Sequence, residues 1–218
     1  VYYLQYLFLN DWNFCSGESL QPASFLFPSP EVHKKEDVLV QIAASGPDST
    51  QPTILFSLLQ AVYLAQEEIL ITTPYFIPGE SLLEALSIAA LSGLSVKLLV
   101  PGVSDIGFVN AAARSYYDEL LGAGVEIYQY QKGFIHAKTL VADGKLSVVG
   151  TANMDYRSFD LNFEVNALVY DGDFSRQLRD VFYDDLENAE RIDPAEWADR
   201  PIYKQMVEKV ARLLSPLL

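Results

Sequence analysis

The stretch Gly133-Phe134-Ile135-His136-Ala137-Lys138-Thr139-Leu140-Val141-Ala142-Asp143-Gly144-Lys145-Leu146-Ser147-Val148-Val149-Gly150-Thr151-Ala152-Asn153 decides the reading of this chain. Its apolar and β-branched runs at 135–142 and 146–150 read as two strands. Asp143-Gly144 between them is a strong two-residue hairpin signal. Side chains alternate across a strand, so His136 and Lys138 fall on one face, about 6–7 Å apart along it. Burying an imidazole and an ammonium together is costly without compensation, and a lysine so placed asks for an anion. The hairpin returns the chain, so the Thr151 hydroxyl and the Asn153 carboxamide arrive near the end of the strand that carries His136. A histidine, a lysine, a hydroxyl and an amide suit a phosphate or phosphodiester. They supply a nucleophile or proton carrier, a counter-charge and neutral hydrogen-bond donors.

Upstream of this stretch, strands alternate with helices. A strand at 38–44 is followed by a helix at 54–68 and a strand at 69–75. Next come a helix at 81–92 closed by Gly93, a strand at 96–100 stopped by Pro101, a helix at 111–121 ended by Gly122 and Gly124, and a strand at 125–130. That alternation predicts parallel crossovers in an α/β layer fold. Downstream the pattern changes: 135–142, 146–150 and 163–170 are strands with no helix between them, and helices at 174–187 and 203–214 close the chain. The expectation is a mixed sheet of about seven strands flanked by helices on both faces, forming one domain over residues 37–218. Residues 1–36 read as a helix and a linker that holds three prolines between 16 and 36.

Composition narrows the function. Among 218 residues, Lys plus Arg number 15 and Asp plus Glu 29, a formal net charge of −14. A free-standing nucleic-acid grip and contact of this chain alone with an anionic membrane are both disfavoured on that balance, because phosphate contacts need clustered cations. The 50% hydrophobic content excludes disorder. The one cysteine, Cys15, excludes an internal disulfide framework and a Cys-rich zinc site, and reads as a packed thiol. His33 and His136 are the only histidines, which leaves little room for a His-ligated metal. The opening run Tyr2-Tyr3-Leu4-Gln5-Tyr6-Leu7-Phe8-Leu9 is about half a bilayer span and has no signal-peptide flank. It reads as the last helix of a preceding region, and the chain as part of a longer protein.

His136-x-Lys138-x4-Asp143-x6-Gly150-x2-Asn153 resembles the signature of the phospholipase D superfamily, met at every position. The similarity extends to Thr72-Thr73-Pro74-Tyr75-Phe76, Arg114-Ser115-Tyr116-Tyr117, Gly150-Thr151-Ala152-Asn153-Met154-Asp155-Tyr156-Arg157-Ser158-Phe159, Leu161-Asn162-Phe163-Glu164-Val165-Asn166 and the ending Leu213-Leu214-Ser215-Pro216-Leu217-Leu218. All resemble bacterial cardiolipin synthases. The resemblance implies an enzyme with two such motifs, one in each half, that meet at one pseudo-symmetric site behind two membrane helices. This chain would be the second half, and residues 1–16 the tail of the first.

The implied reaction joins two phosphatidylglycerol molecules into cardiolipin and releases glycerol. One histidine becomes a phosphohistidine and the other is the general acid and base; no metal or cofactor is implied. The implied partners are the phospholipid substrate, the missing N-terminal half or a second copy of the chain, and a bacterial cell membrane reached through absent N-terminal helices. The fragment itself is expected to be soluble, and no nucleic acid is expected. Residue by residue, His136 is nucleophile or general acid/base, and Lys138 binds phosphoryl oxygens. Asn153 donates to the same oxygens, with Thr151 in support. Glu164 hydrogen-bonds the histidine and fixes its tautomer, as an acid does in a triad. Asp143 belongs to the signature, although the hairpin reading puts it at the turn, pointing away from His136.

There are departures from the family pattern. Thr151 stands where Ser is common, and Asp160 where Glu is expected. No second motif exists: His33 sits in a charged, solvated cluster, and Val40 occupies the position its aspartate would need. Tyr75 and Phe76 read as core, Tyr156 and Arg157 as a second substrate contact or a surface pair. The acidic residues from Asp180 to Glu190 read as a solvated face. Residues 203–218, with Lys204, Lys209 and Arg212, are weakly amphipathic and read either as a lipid contact or as a dock for the missing half. Rival readings are a one-motif phosphodiesterase or nuclease acting as a homodimer, and a non-catalytic phosphate or phospholipid-binding domain.

Overall fold

The computed structural model describes residues 2–21, 38–103 and 106–215. They fall into two units, Val1–Val38 and Leu39–Leu218. The first holds helix α1 (Tyr2–Ser16), after which Gly17 turns the chain with φ 71°. Asn13 fixes that turn by exchanging two hydrogen bonds with the Leu20 backbone, at 2.9 and 2.8 Å. The expectations for His33 and for the linker from residue 22 to 36 lie outside the described residues.

In the second unit β1 (Leu39–Ser45), α2 (Thr53–Leu64), β2 (Glu68–Thr72), β3 (Phe76–Ile77), α3 (Gly79–Leu91), β4 (Ser95–Pro101), α4 (Gly107–Arg114), α5 (Tyr117–Ala123) and β5 (Glu126–Tyr130) come first. Then follow β6 (Thr139–Ala142), β7 (Leu146–Gly150), β8 (Met154–Asp155), a π-helical turn (Arg157–Leu161), β9 (Glu164–Tyr170), α6 (Gly172–Leu186), β10 (Ala189–Arg191), α7 (Pro194–Ala198) and α8 (Ile202–Leu213).

The main sheet has eight strands in the order β1-β9-β7-β6-β2-β4-β5-β10. The helix-linked strands β2, β4 and β5 pair in parallel, and the remaining ladders are antiparallel. This is the expected mixed sheet with β10 added at one edge; β3 and β8 form a separate two-stranded ladder. Alternation along the strands sorts the core into two layers. Ile69, Ile71, Leu98, Ile127, Leu140 and Val148 pack with Leu58, Leu82 and Leu86 of α2 and α3. Leu70, Leu99 and Val141 face the other way, onto Phe182 of α6. Each fully buried aliphatic side chain contributes about 1.5–3 kcal/mol of transfer free energy.

Three segments differ from the sequence reading: the helix expected at 54–68 ends at Leu64, and β2 begins at Glu68. The helix expected at 111–121 is two helices, because Ser115 N and Tyr116 N bond three residues back, to Ala112 O and Ala113 O, and the Ser115 hydroxyl also donates to Ala112 O. The strand expected at 135–142 is regular only from Thr139. β2 ends at Thr72, and the next amide, Thr73 N, turns to Leu99 O of β4. On the other side the last ladder-like bond runs from Gly150 N to Lys138 O at 3.3 Å. Residues 135–137 therefore have no strand beside them, and they emerge from the sheet.

Candidate active site

The β6–β7 hairpin positions both ends of the motif. Its turn spans residues 143–145, one more than the two-residue signal suggested. Asp143 and Gly144 both take left-handed backbone (φ 54° and 57°), as a primed turn requires, and Lys145 N bonds Ala142 O at 3.0 Å. Asp143 does not approach His136. Its Oδ1 accepts from Glu67 N at 2.8 Å and Glu68 N at 3.0 Å, and its Oδ2 from Gln66 N at 3.0 Å. Burial pushes its carboxyl pKa up, but these backbone donors outweigh burial and hold it below the usual carboxylate range. Asp143 thus lies at the turn and away from His136, as the hairpin reading has it and not among the catalytic groups with which the signature links it, and it fastens the hairpin to the start of β2.

At the other end of β6 the polar groups are open. His136 is exposed, on the segment that leaves the sheet, and is not buried on a strand face as expected. The half-buried Lys138 folds back on it: Nζ lies 3.3 Å from both ring nitrogens and donates to His136 O at 2.9 Å. Burial lowers the Lys138 pKa, and the nearby Glu164 and Asp155 carboxylates restrain the fall. The imidazole also meets Phe134, with ring centroids 5.7 Å apart and planes inclined by 33°. Phe134 in turn meets Tyr75 at 6.2 Å.

The returning chain supplies the rest. Thr151 and Glu164 meet where β7 gives way to β9. The Thr151 hydroxyl donates to Glu164 Oε2 and accepts from Val165 N at 3.0 Å. Glu164 Oε1 takes Asn162 Nδ2 at 3.3 Å and the Ser158 hydroxyl at 3.4 Å. Glu164 therefore makes no hydrogen bond to His136, contrary to the role the resemblance implied. Its charge acts on Lys138 instead, opposing the effect of burial on the ammonium. Gly150 permits this junction: a Cβ there would stand 2.0 Å from Asn166 Oδ1 and 2.4 Å from Val165 O.

Asn153 points into a network absent from the sequence reading. Its Nδ2 donates to Asp155 Oδ2 at 3.0 Å, its backbone N–H to the Ser158 hydroxyl at 3.0 Å, and Ser158 N to Asp155 Oδ1 at 2.7 Å. Burial raises the Asp155 carboxyl pKa above its ordinary value; the Ser158 and Asn153 hydrogen bonds oppose this and the Glu164 charge adds to it. One Asn153 N–H is thus committed to Asp155, while its Oδ1 is buried and has no partner among the described residues. The available signal was Asp155-x-x-Ser158, the spacing by which a carboxylate accepts the backbone N–H three residues on. Asn153, Asp155, Arg157, Asn162, Tyr75 and Val109 line a cleft of about 260 Å³. Tyr75 and Phe134 form the aromatic path from that cleft to His136. Among the described residues no group of three or more His, Cys, Asp or Glu side chains converges to hold a metal ion.

Residues 58–186, more than half of the chain, match the family described as "Cardiolipin synthase, PLD-like domain". The chain belongs to that family. The cardiolipin synthase of Geobacillus sp. (strain WCH70) is 48% identical over 216 residues, 99% of this chain and 43% of that protein. Cardiolipin synthase 2 of Bacillus anthracis is 45% identical over 215 residues, 99% of this chain and 42% of that protein. The chain thus spans less than half the length of these relatives.

Solved structures agree on the fold. The phosphatidylserine synthase of Haemophilus influenzae superposes with TM-score 0.66 at 15% identity, over 86% of this chain and 49% of that one. Nuc from Salmonella typhimurium, a phospholipase D family member, superposes with TM-score 0.62 at 17% identity, over 72% of this chain and 99% of that one. At such identities they establish the phospholipase D-like architecture of this cardiolipin synthase-family chain and nothing finer. No helix among the described residues is long and apolar enough to cross a membrane.

Proposed function

We propose that this chain is one catalytic half of a phosphatidyltransferase that joins two phosphatidylglycerol molecules into cardiolipin and releases glycerol. The observation that carries the reading is the Lys138 ammonium 3.3 Å from both ring nitrogens of the exposed His136. A cation there neutralises a phosphodiester whose phosphorus lies within reach of the imidazole.

A histidine of the two-motif site attacks phosphorus, forming a phosphorus–nitrogen bond while the phosphorus–oxygen bond to glycerol breaks. The other histidine gives its proton to the departing glycerol oxygen. It then takes the proton of the incoming phosphatidylglycerol hydroxyl, whose oxygen displaces the nitrogen from phosphorus. His136 is one of this pair. Lys138 balances the phosphoryl charge, and Thr151 and Asn153 flank the phosphoryl oxygens. Glu164, held by Thr151, Asn162 and Ser158, opposes the burial that lowers the Lys138 pKa. The other motif and the membrane anchor belong to the rest of the protein.

The test is conversion of phosphatidylglycerol to cardiolipin by the full-length protein. His136→Ala is expected to abolish turnover while leaving the melting temperature unchanged; turnover at the wild-type rate would overturn the role of His136. A second reading is favoured by Nuc, of which this fold covers 99%: two copies of a one-motif chain would form the site. The present chain assayed alone separates the two. Inactivity as a monomer supports the half-site reading, and activity confined to a dimer supports the second.

A further inference from the structure

Six of the seven arginines of the chain are committed to the fold. Arg114 and Arg200 pair with Glu208, Arg176 with Asp173, Arg179 with Glu68, Arg191 with Glu126 and Arg212 with Glu119. Arg157 is the exception, and forms no ion pair among the described residues. Carboxylates are not scarce in a chain with 29 acidic residues and 15 basic ones. Asp155, two residues away, uses its oxygens on Asn153 Nδ2 at 3.0 Å and Ser158 N at 2.7 Å.

The exposed Arg157 instead lines the cleft of about 260 Å³, together with Asn153, Asn162 and Tyr75. Its backbone is fixed there. Arg157 opens the π-helical turn, and its carbonyl oxygen accepts from Asn162 N at 2.7 Å. The cleft adjoins the reacting centre. Asn153 belongs to the motif, and the Asp155 carboxylate to which it donates acts on the Lys138 ammonium.

Joining two phosphatidylglycerols sets a charge requirement that Lys138 alone does not meet. Each lipid carries one phosphodiester anion. The donor's phosphorus reacts beside His136 and Lys138. The acceptor's phosphodiester stays intact and brings a second negative charge to the site, since only a glycerol unit separates the two phosphates of the product. A guanidinium grips a phosphodiester through two parallel N–H bonds, which suits a phosphate that is held and not altered. We propose that Arg157 holds the phosphodiester of the incoming phosphatidylglycerol, and so favours a phospholipid over a simple alcohol as acceptor. The proposal rests on the catalytic reading above and adds the acceptor site to it.

The test is a competition for the phosphatidyl group in the full-length protein, with phosphatidylglycerol in detergent micelles and a fixed concentration of butan-1-ol. The hydroxyl oxygen of either acceptor displaces the histidine nitrogen from phosphorus, and its proton goes to the second histidine. The products are cardiolipin or phosphatidylbutanol, and glycerol leaves in both cases. Their ratio at early times does not depend on how much of a variant is folded. Arg157→Gln is expected to lower the ratio of cardiolipin to phosphatidylbutanol about tenfold or more. Arg157→Lys, which keeps the charge without the fork, should lower it less. An unchanged ratio in Arg157→Gln overturns the proposal even when total turnover falls, because the arginine then serves the donor phosphate or the fold. Wild-type protein that yields neither product overturns the catalytic reading, and the acceptor site with it.

Discussion

The two ends of β6 carry residues of one motif and serve opposite purposes. The four residues between Lys138 and Asp143 are the strand itself, Thr139–Ala142, which sets the two about 13 Å apart or more. At the Lys138 end the His136 ring is exposed, and its nitrogens meet only a flexible ammonium. At the Asp143 end the carboxylate is taken up by the backbone amides of Gln66, Glu67 and Glu68. One end leaves hydrogen-bonding capacity for a ligand; the other commits its capacity to the fold. Residues of a single signature can therefore be linked by a strand length and still differ in what they do.

Substitution separates the ends, and the largest effect is expected at Lys138. Lys138→Met in the full-length protein should slow cardiolipin formation on the order of 10³-fold, about 4 kcal/mol of transition-state stabilisation. Thermal unfolding should be unchanged, since the ammonium supports no strand. A large drop in melting temperature with turnover intact would reverse the assignment of the two ends. Gly150→Ala tests the junction between them. A methyl group there meets Asn166 Oδ1 and the Val165 carbonyl oxygen, which belongs to backbone and cannot move aside. A loss of about 3 kcal/mol is expected in denaturant unfolding; a variant as stable as wild type would show that β7 and β9 can separate at no cost.

Much of this was legible in the sequence. The hydrophobic runs carried β2, β4, β5 and β7 to within a few residues, because each is bounded by Pro, Gly or polar residues. Asp143-Gly144 marked the hairpin because left-handed backbone selects those residue types. What was not legible depended on neighbours distant in sequence. Alternation continues through Ile135 and Ala137, yet the strand stops at Thr139 because β2 ends at Thr72. Glu164 was tied to the histidine by the resemblance, but Thr151, Ser158 and Asn162 compete for its oxygens. The β3–β8 ladder and β10 are too short for periodicity to register. The inward hold on α8 comes from Glu208, which pairs with Arg114, 94 positions away.

A smaller loss follows at the other end of the strand. Asp143→Ala removes the acceptor of the β2 amides and puts alanine in left-handed backbone, and together these should cost about 2–3 kcal/mol. Turnover of the folded fraction should stay near wild type. A catalytic Asp143 would instead lose turnover in protein that is still folded.

The smallest effect, and the one most specific to this arrangement, is the acid limb of stability. Three backbone amides hold the Asp143 carboxyl below the ordinary carboxylate range even though burial pushes it up. A carboxyl whose pKa is lower folded than unfolded stabilises fully above the unfolded value, near about 3.9, and loses that contribution as pH falls through the folded value. Asp143→Asn tolerates the left-handed backbone and keeps one acceptor oxygen, so it removes mainly the charge and should cost about 1 kcal/mol at neutral pH. The wild-type advantage over Asp143→Asn, read from urea unfolding, should therefore be flat from pH 7 to about pH 5 and shrink below about pH 4. An advantage that persisted undiminished in acid would mean that the amides bind the side chain by shape and not by charge. The contrast between the open and the committed end of β6 would then rest on packing alone.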